Sequence, residues 1–272
     1  MPGLSWHTYD QYGYALMVVL GTLAAVAGVH WVLGRPRWAG WVASLRGVAP
    51  PFINIIGVLF GLTLAFLAND TWSAHDRAMN AVYVEADALR SLDVLSRELP
   101  EPLRGRVHQA LSDYAQASAA EWPHLAQRQP QAAVSARADA LLSLLASRAV
   151  AADRGEGVQG LLLKKASEIR AQRDQRIGLC QTHVNPLKWL GMAFLGFVTL
   201  LSVMVVHVEQ PRAALIAVVL FALAAAPTAA IVLIQGNPFQ QPTAVSPEPI
   251  AHAVTVQLAA PAARPSSPPA HL

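Results

Sequence analysis

Three patterns in the sequence look like sites that do chemistry, but each lacks the partners that its chemistry requires. Gly155, Gly157 and Gly160 match the GxGxxG spacing of a dinucleotide-binding loop. Such a loop needs a β-strand before it, so that backbone amides meet a pyrophosphate at a helix start. The preceding residues 141–152 are helical in character. The spacing therefore predicts a loop between two helices rather than a nucleotide site.

The histidines, the cysteine and the serines also form no recognisable metal site or catalytic arrangement. The nine histidines are scattered and form no recognisable zinc motif. Cys180 is the only cysteine, which excludes an intramolecular disulfide and favours a plain unpaired thiol. The sequence contains no Ser/His/Asp arrangement, phosphate loop or nucleophile elbow. We therefore expect a protein that is not an enzyme, with no catalytic residue, no cofactor and no metal site.

The second long apolar stretch of the chain carries a pattern of small residues. Gly57 and Gly61 form a GxxxG motif, and Asn54 and Ala65 extend the same helix face. Small side chains let two helices approach closely. These four residues are therefore the candidate helix-packing face.

The same stretch carries a second pattern, made of larger apolar residues. Ile56, Phe60 and Leu64 recur every four residues. A row of this kind can form an apolar constriction that gates a pore by dewetting. These residues are the candidate pore constriction, and one helix can pack with one face and line a pore with another.

The composition places these patterns in a membrane protein. Of the 272 residues, 54% are apolar and 14% are charged, whereas a soluble domain averages about 25% charged residues. Residues 70–188 hold 29 of the 37 charges, and residues 1–69 and 189–272 hold four each. This excludes an ordinary soluble globule. Because no segment concentrates positive charge, nucleic acid is not an expected partner.

Four apolar stretches are each long enough to cross a bilayer as a helix, which takes about 20 residues. They lie at about residues 14–33, 51–68, 189–206 and 213–234. The predicted fold class is all-α, with four transmembrane helices and a helical insert between the second and third spans. The predicted domains are an N-terminal membrane hairpin (1–69), a soluble helical insert (70–188), a C-terminal membrane hairpin (189–235) and a flexible tail rich in Pro and Ala (236–272).

The insert shows apolar residues at helical spacing, separated by charged residues. This pattern follows Asn69 without a Gly or Pro break as far as Pro100, which predicts that the second span continues into the insert as one helix. The charges between the apolar residues are interpreted as a solvated surface. Counting arginines near the spans gives four on each side of the membrane, so charge alone does not orient the protein.

Several segments, in order, resemble the bestrophin-like family of bacterial membrane proteins, and together they cover about residues 50–255. The chain departs from the family's pattern in the last segment. The family pattern has an acidic residue just before Pro238-Phe239 and a glycine soon after, and this chain has Gly236-Asn237 and Gln240-Gln241 there. The segments that carry the resemblance are Gly57–Trp72, Glu85 with Leu89, Ser167–Arg170 with Arg173 and Arg176, His183–Trp189, Asn237–Phe239 and Val245–Pro249.

The family is distantly similar to the bestrophins, which are pentameric anion channels with four spans, a helical cytosolic domain and a pore lined by the second span. The resemblance implies a homo-oligomer in a lipid bilayer, small anions as the permeant ions, and a cytoplasmic insert with both termini on the same side. It also implies a pore that narrows at apolar residues of the second span, where the spacing places Ile56, Phe60 and Leu64. In the channel hypothesis, Arg77 or Arg90 concentrates anions near the pore mouth.

The sequence and the resemblance are compatible with two functions. One is an oligomeric anion channel, and the other is a non-conducting scaffold that presents the helical insert to a protein partner. Arginine outnumbers lysine by 17 to 3 and alanine is abundant, a composition that suits a bacterium with a GC-rich genome. We therefore expect the protein in the bacterial inner membrane.

Overall fold

The computed structural model describes residues 10–33, 40, 44, 49–181, 186–207 and 210–254. Within these ranges the regular elements are all helices and no strand occurs, which confirms the all-α fold class. The helices are α1 (Asp10–Leu33), α2 (Ala49–Ser96), α3 (Leu103–Ala120), α4 (Trp122–Ala126), α5 (Ala132–Leu145), α6 (Arg148–Gln181), α7 (Pro186–Val206), α8 (Pro211–Ile234) and α9 (Glu248–Ala251).

The chain divides into two compact units. Unit 1 comprises Met1–Asp76 with Gln181–Thr243, and unit 2 comprises Arg77–Cys180 with Ala244–Leu272. Helix α2 contributes residues to both units, and it is a single helix of 48 residues. No Gly or Pro follows Gly61 within it, so nothing in the backbone interrupts it. The prediction that the second span continues into the insert is confirmed.

Unit 1 is a bundle of apolar helices. Helix α8 packs along α1 and against α7, and α1 also contacts α7. One buried cluster joins Val26 of α1, Leu200 of α7 and Val218 of α8. Apolar side chains surround these helices on nearly all sides, and helices of this kind satisfy every backbone amide internally, as a bilayer requires.

Within the described residues, three helices are long and apolar enough to cross a membrane. They lie within Phe52–Ser96, Leu187–Val206 and Arg212–Ile234, at the second, third and fourth predicted spans. The first predicted span falls in α1, whose described apolar stretch, Ala15–Gly28, is shorter than a span. The prediction of four spans is therefore confirmed for three helices.

Unit 2 is a helical domain with its own core. The core contains fully buried side chains from four helices, among them Leu92 of α2, Leu111 of α3, Leu141 of α5 and Ile169 of α6. Helix α3 packs against α5, α4 and α9. The core residues of each helix recur three or four positions apart, so each helix buries one stripe and leaves the other in water.

Residues 244–254 also contribute to unit 2, although their composition predicts a flexible tail. Val245 and Ile250 are buried, α9 packs on α3, and the indole Nε1 of Trp122 donates a hydrogen bond to the carbonyl oxygen of Val245 at 2.6 Å. The many prolines of this segment predict a flexible chain, and its few buried apolar residues are not distinguishable in the sequence. Residues 255–272 lie outside the described ranges.

Candidate functional site

The apolar half of α2 turns one side toward the other helices of unit 1. Leu67 and Ala68 are buried in a cluster with Met192 of α7 and with two residues of α8, and Phe60 and Leu64 pack against this cluster. The contact is an ordinary helix–helix packing in which small and large apolar side chains interlock. This side of α2 is therefore occupied by the chain itself.

Phe60 contacts both α7 and α8 on this side. Its ring lies 5.5 Å, centroid to centroid, from the ring of Phe221 in α8, within the range of a favourable aromatic pair. A Cβ added at Gly196 of α7 would lie 3.0 Å from Cε2 of Phe60. Of the predicted constriction residues, Phe60 and Leu64 thus point into their own helical bundle, and Ile56 is half-buried.

The opposite side of α2 carries a second row of large apolar side chains. An α-helix turns about 100° per residue, so a row shifted by two positions lies about 200° away. Val58, Leu62 and Phe66 form that shifted row, and their exposed fractions are 60%, 50% and 68%. The structure therefore leaves this row largely exposed, whereas Phe60 and Leu64 of the predicted row pack against the cluster that contains residues of α7 and α8.

The predicted packing face is also open. Asn54, Gly61 and Ala65 are exposed and Gly57 is half-buried. A Cβ added at either glycine would meet no atom within 4 Å in the described part of the chain. Within the described ranges, no other helix of this chain therefore packs closely on the two glycines.

A polar network occupies the interior of unit 2. The carboxylate of Glu85 on α2 accepts two hydrogen bonds from Arg176 on α6, with Nε to Oε2 at 2.8 Å and Nη2 to Oε1 at 2.9 Å. Oε1 also accepts from the hydroxyl of Tyr114 at 2.8 Å and from that of Ser118 at 3.2 Å. The guanidinium of Arg176 lies 4.9 Å over the ring of Trp122, which adds a cation–π contact.

A second buried ion pair extends the network. Arg173, one helical turn before Arg176, donates from Nη2 to Oε1 of Glu121 at 2.7 Å and to the carbonyl oxygen of Gln131 at 3.0 Å. Its Nη1 donates to Oγ of Ser135 at 2.7 Å. All of these bonds join different helices or the loops between them, so the network fixes α2, α3, α5 and α6 relative to one another within unit 2.

The surroundings keep Arg176 charged and Tyr114 protonated. Burial acts to lower the pKa of Arg176, but the adjacent Glu85 and Tyr114 outweigh it and raise that pKa above its ordinary value. Burial and the charge of Glu85 raise the pKa of Tyr114 well above its ordinary range, so the phenol stays protonated and donates to the carboxylate. A buried charge pair of this kind is stable only when both partners are present and hydrogen-bonded.

This network corrects the interpretation of the insert's charges as a solvated surface. Glu85, Glu121, Arg173 and Arg176 are at most 1% exposed. The physical reason is mutual neutralisation, because two carboxylates and two guanidinium groups cancel inside the core. The resemblance singled out three of these residues, but Glu121 and the hydroxyl donors carry no sequence signal that distinguishes them from surface residues.

The glycine motif, the cysteine and the histidines form no catalytic or metal-binding arrangement in the described part of the chain. Gly155 has φ 77° and ψ 165° and kinks α6, so the predicted loop is a break at one residue and Gly157 and Gly160 are helical. Burial raises the pKa of the Cys180 thiol to about 11, which leaves it protonated and unreactive at neutral pH. Within the described ranges, no three His, Cys, Asp or Glu side chains are grouped so that they could hold a metal ion. His183 lies outside the described residues.

Comparison with known proteins agrees with this architecture of apolar helices and a helical polar domain. The family model of the Bestrophin-like domain matches residues 20–250. The crystal structure of a bacterial bestrophin homologue from Klebsiella pneumoniae has a TM-score of 0.63 and 15% sequence identity, over 89% of this chain and 96% of that chain. A variant of that homologue gives a TM-score of 0.62 at 14% identity, over 90% of this chain and 98% of its own.

The fold and the match together define a helical membrane protein of the bestrophin type. The chain belongs to the Bestrophin-like family. At 14–15% identity, the likeness to the solved structures shows the fold alone. The chain matches none of the curated proteins.

Proposed function

We propose that this chain assembles with copies of itself into an ion channel for small anions, with α2 lining the conduction path. One observation carries the proposal. The row Val58, Leu62 and Phe66 faces away from α7 and α8, and the surrounding stretch of residues 47–69 has no charge. Copies of this row arranged around an axis would form an apolar constriction that passes ions when it is wetted.

This neck differs from the row predicted from sequence spacing. Ile56, Phe60 and Leu64 stay the alternative, but the contacts of Phe60 with Phe221 and Gly196 would have to break before that row could line a path. Breaking them would expose an aromatic side chain and leave a gap between α7 and α8. The outward row needs no such rearrangement.

The small-residue face of α2 supports an oligomer. Gly57 and Gly61 have open space around them, and a lipid chain gains little from such a surface, whereas a second helix can approach closely there. In the proposed assembly this face, with Asn54 and Ala65, packs against the neighbouring copy. The large apolar row then points toward the axis.

The proposed topology has four spans, with α1 as the first. A helix of 24 residues is about 36 Å long, which exceeds the hydrocarbon thickness of about 30 Å. Both termini and the 70–188 insert lie in the cytoplasm, and the protein resides in the bacterial inner membrane. Arg77 and Arg90, both exposed, would then raise the local concentration of anions at the cytoplasmic mouth.

The test combines assembly with transport. The purified protein is weighed in nanodiscs by native mass spectrometry, and its chloride flux is measured in liposomes against empty liposomes. We expect a defined ring-sized oligomer, with a pentamer as the strongest form of support, and chloride flux above the control. A monomer, or a correct oligomer without flux, would overturn the proposal and favour the non-conducting scaffold.

A further inference from the structure

One ion pair in unit 1 stands at the border between the apolar segments and the charged part of the chain. Asp70 is the first charged residue after the uncharged stretch 47–69, and Lys188 is the last before the apolar stretch that begins at Trp189. Lys188 donates from Nζ to Oδ2 of Asp70 at 2.7 Å. The two side chains are 57% and 56% exposed, so water and mobile ions reach both.

Asp70 lies at the inner end of the apolar segment of α2, where its side chain reaches Lys188 of α7. It follows Phe66 by four residues, one helical turn further along the helix. In the proposed channel its carboxylate therefore lies just beyond the inner end of the apolar constriction. Ions that leave or enter the constriction therefore pass this position.

We propose that the Asp70–Lys188 pair sets the charge selectivity of the pore. This inference rests on the proposed function. A ring of unneutralised carboxylates beside a narrow path attracts cations and repels anions. The ammonium group of Lys188 neutralises the charge of the Asp70 carboxylate. Anions can therefore pass the end of the constriction.

A purely structural role explains the pair less well. Exposed ion pairs contribute little to folding stability, because water already solvates both partners and their side chains lose entropy. Their electrostatic field acts on any ion that comes within a Debye length, about 8 Å at physiological ionic strength. The consequence of the pair is therefore greatest for ions passing close by.

The test measures reversal potentials of the full-length channel in a planar bilayer under a KCl gradient. For Lys188→Gln we expect the permeability ratio to shift toward potassium by about tenfold, the lower end of what a focused charge does to local ion concentration. Asp70→Asn shifts the ratio toward chloride. The exchange of both, Asp70→Lys with Lys188→Asp, keeps the pair neutral and retains the wild-type ratio.

The control is an ion pair of similar exposure in unit 2. Arg104 and Glu101 of unit 2 pair at 2.6 Å and are 49% and 56% exposed, and Arg104→Gln should leave the ratio unchanged. A conducting protein whose ratio is the same in Lys188→Gln, Asp70→Asn and wild type would overturn this inference and leave the proposed function intact. Absence of conductance in wild type would overturn the proposed function itself.

Discussion

Arg176 on α6 binds Glu85 on α2 through two parallel hydrogen bonds, although the two residues are 91 positions apart in the sequence. Both side chains are completely buried. The planar guanidinium matches the carboxylate in a way that lysine cannot. The pair ties the part of α2 that lies in unit 2 to the helix that leads back toward the third span.

We predict that Glu85→Gln strongly destabilises the protein. The substitution leaves the buried guanidinium of Arg176 without its countercharge, a loss that costs about 3–5 kcal/mol in buried pairs. Thermal unfolding of the purified protein, followed by helical circular dichroism, measures the change. Glu101→Gln is the control, because its ion pair with Arg104 is exposed. Equal melting temperatures for the two variants would contradict a structural role for the buried pair.

A second prediction concerns the inner side of α2. Gly196→Ala places a methyl group 3.0 Å from the Phe60 ring, and overpacking of this kind costs about 1–3 kcal/mol. Gly191→Ala is the matched control on the same helix, because a Cβ there meets no atom within 4 Å in the described part of the chain. Thermal inactivation in detergent compares the two. If Gly191→Ala loses as much stability as Gly196→Ala, Phe60 does not pack where the structure has it.

The segment after α8 gives a third prediction. Ile250 is fully buried, and truncation of a buried isoleucine to alanine typically costs about 2–5 kcal/mol. We expect Ile250→Ala to lower the melting temperature and to increase proteolysis of residues 244–254. His252→Ala, at an exposed position two residues later, should change neither. Unchanged proteolysis of Ile250→Ala would show that the segment is not anchored.

The fourth prediction is a pH dependence. Burial, followed by the charge of Glu121, raises the pKa of the Cys180 thiol from the ordinary value of 9.0 to about 11. Between these values the unfolded thiol ionises and the folded one does not, so stability is full below pH 9 and falls as the pH rises toward 11. The loss is on the order of 2–3 kcal/mol. Cys180→Ser removes this part of the alkaline loss, and urea unfolding at pH 8 and 10.5 measures it. An identical pH dependence in both proteins would contradict the assignment.

Parts of this fold follow directly from the sequence. The spans at 51–68, 189–206 and 213–234 are long uncharged stretches, and no alternative structure satisfies their backbone in a bilayer. The continuity of α2 follows from the absence of Gly and Pro after Gly61. These are local properties, and local properties are visible in a single sequence.

The predicted pore row and the buried polar network depend on contacts between residues that are far apart in the sequence. The spacing of residues within one helix does not reveal those contacts. The rows that contain Phe60 and Phe66 are both apolar and both repeat every four residues, and only the contacts with α7 and α8 separate the inner row from the outer one. In the same way, residue type does not distinguish the buried Glu85 and Glu121 from the exposed Glu101. Their burial follows from partners that lie far away in the sequence.

The most direct test of the outward α2 row is cysteine accessibility in the conducting channel. The native thiol of Cys180 is buried and protonated, so the wild-type current should be insensitive to a small anionic methanethiosulfonate reagent, and new cysteines can be read one at a time. We predict that the reagent blocks the current of Leu62→Cys and Phe66→Cys, and that it leaves the current of Phe60→Cys and Leu64→Cys unchanged. Block of the Phe60→Cys and Leu64→Cys channels, with no effect on the other two, would contradict the account.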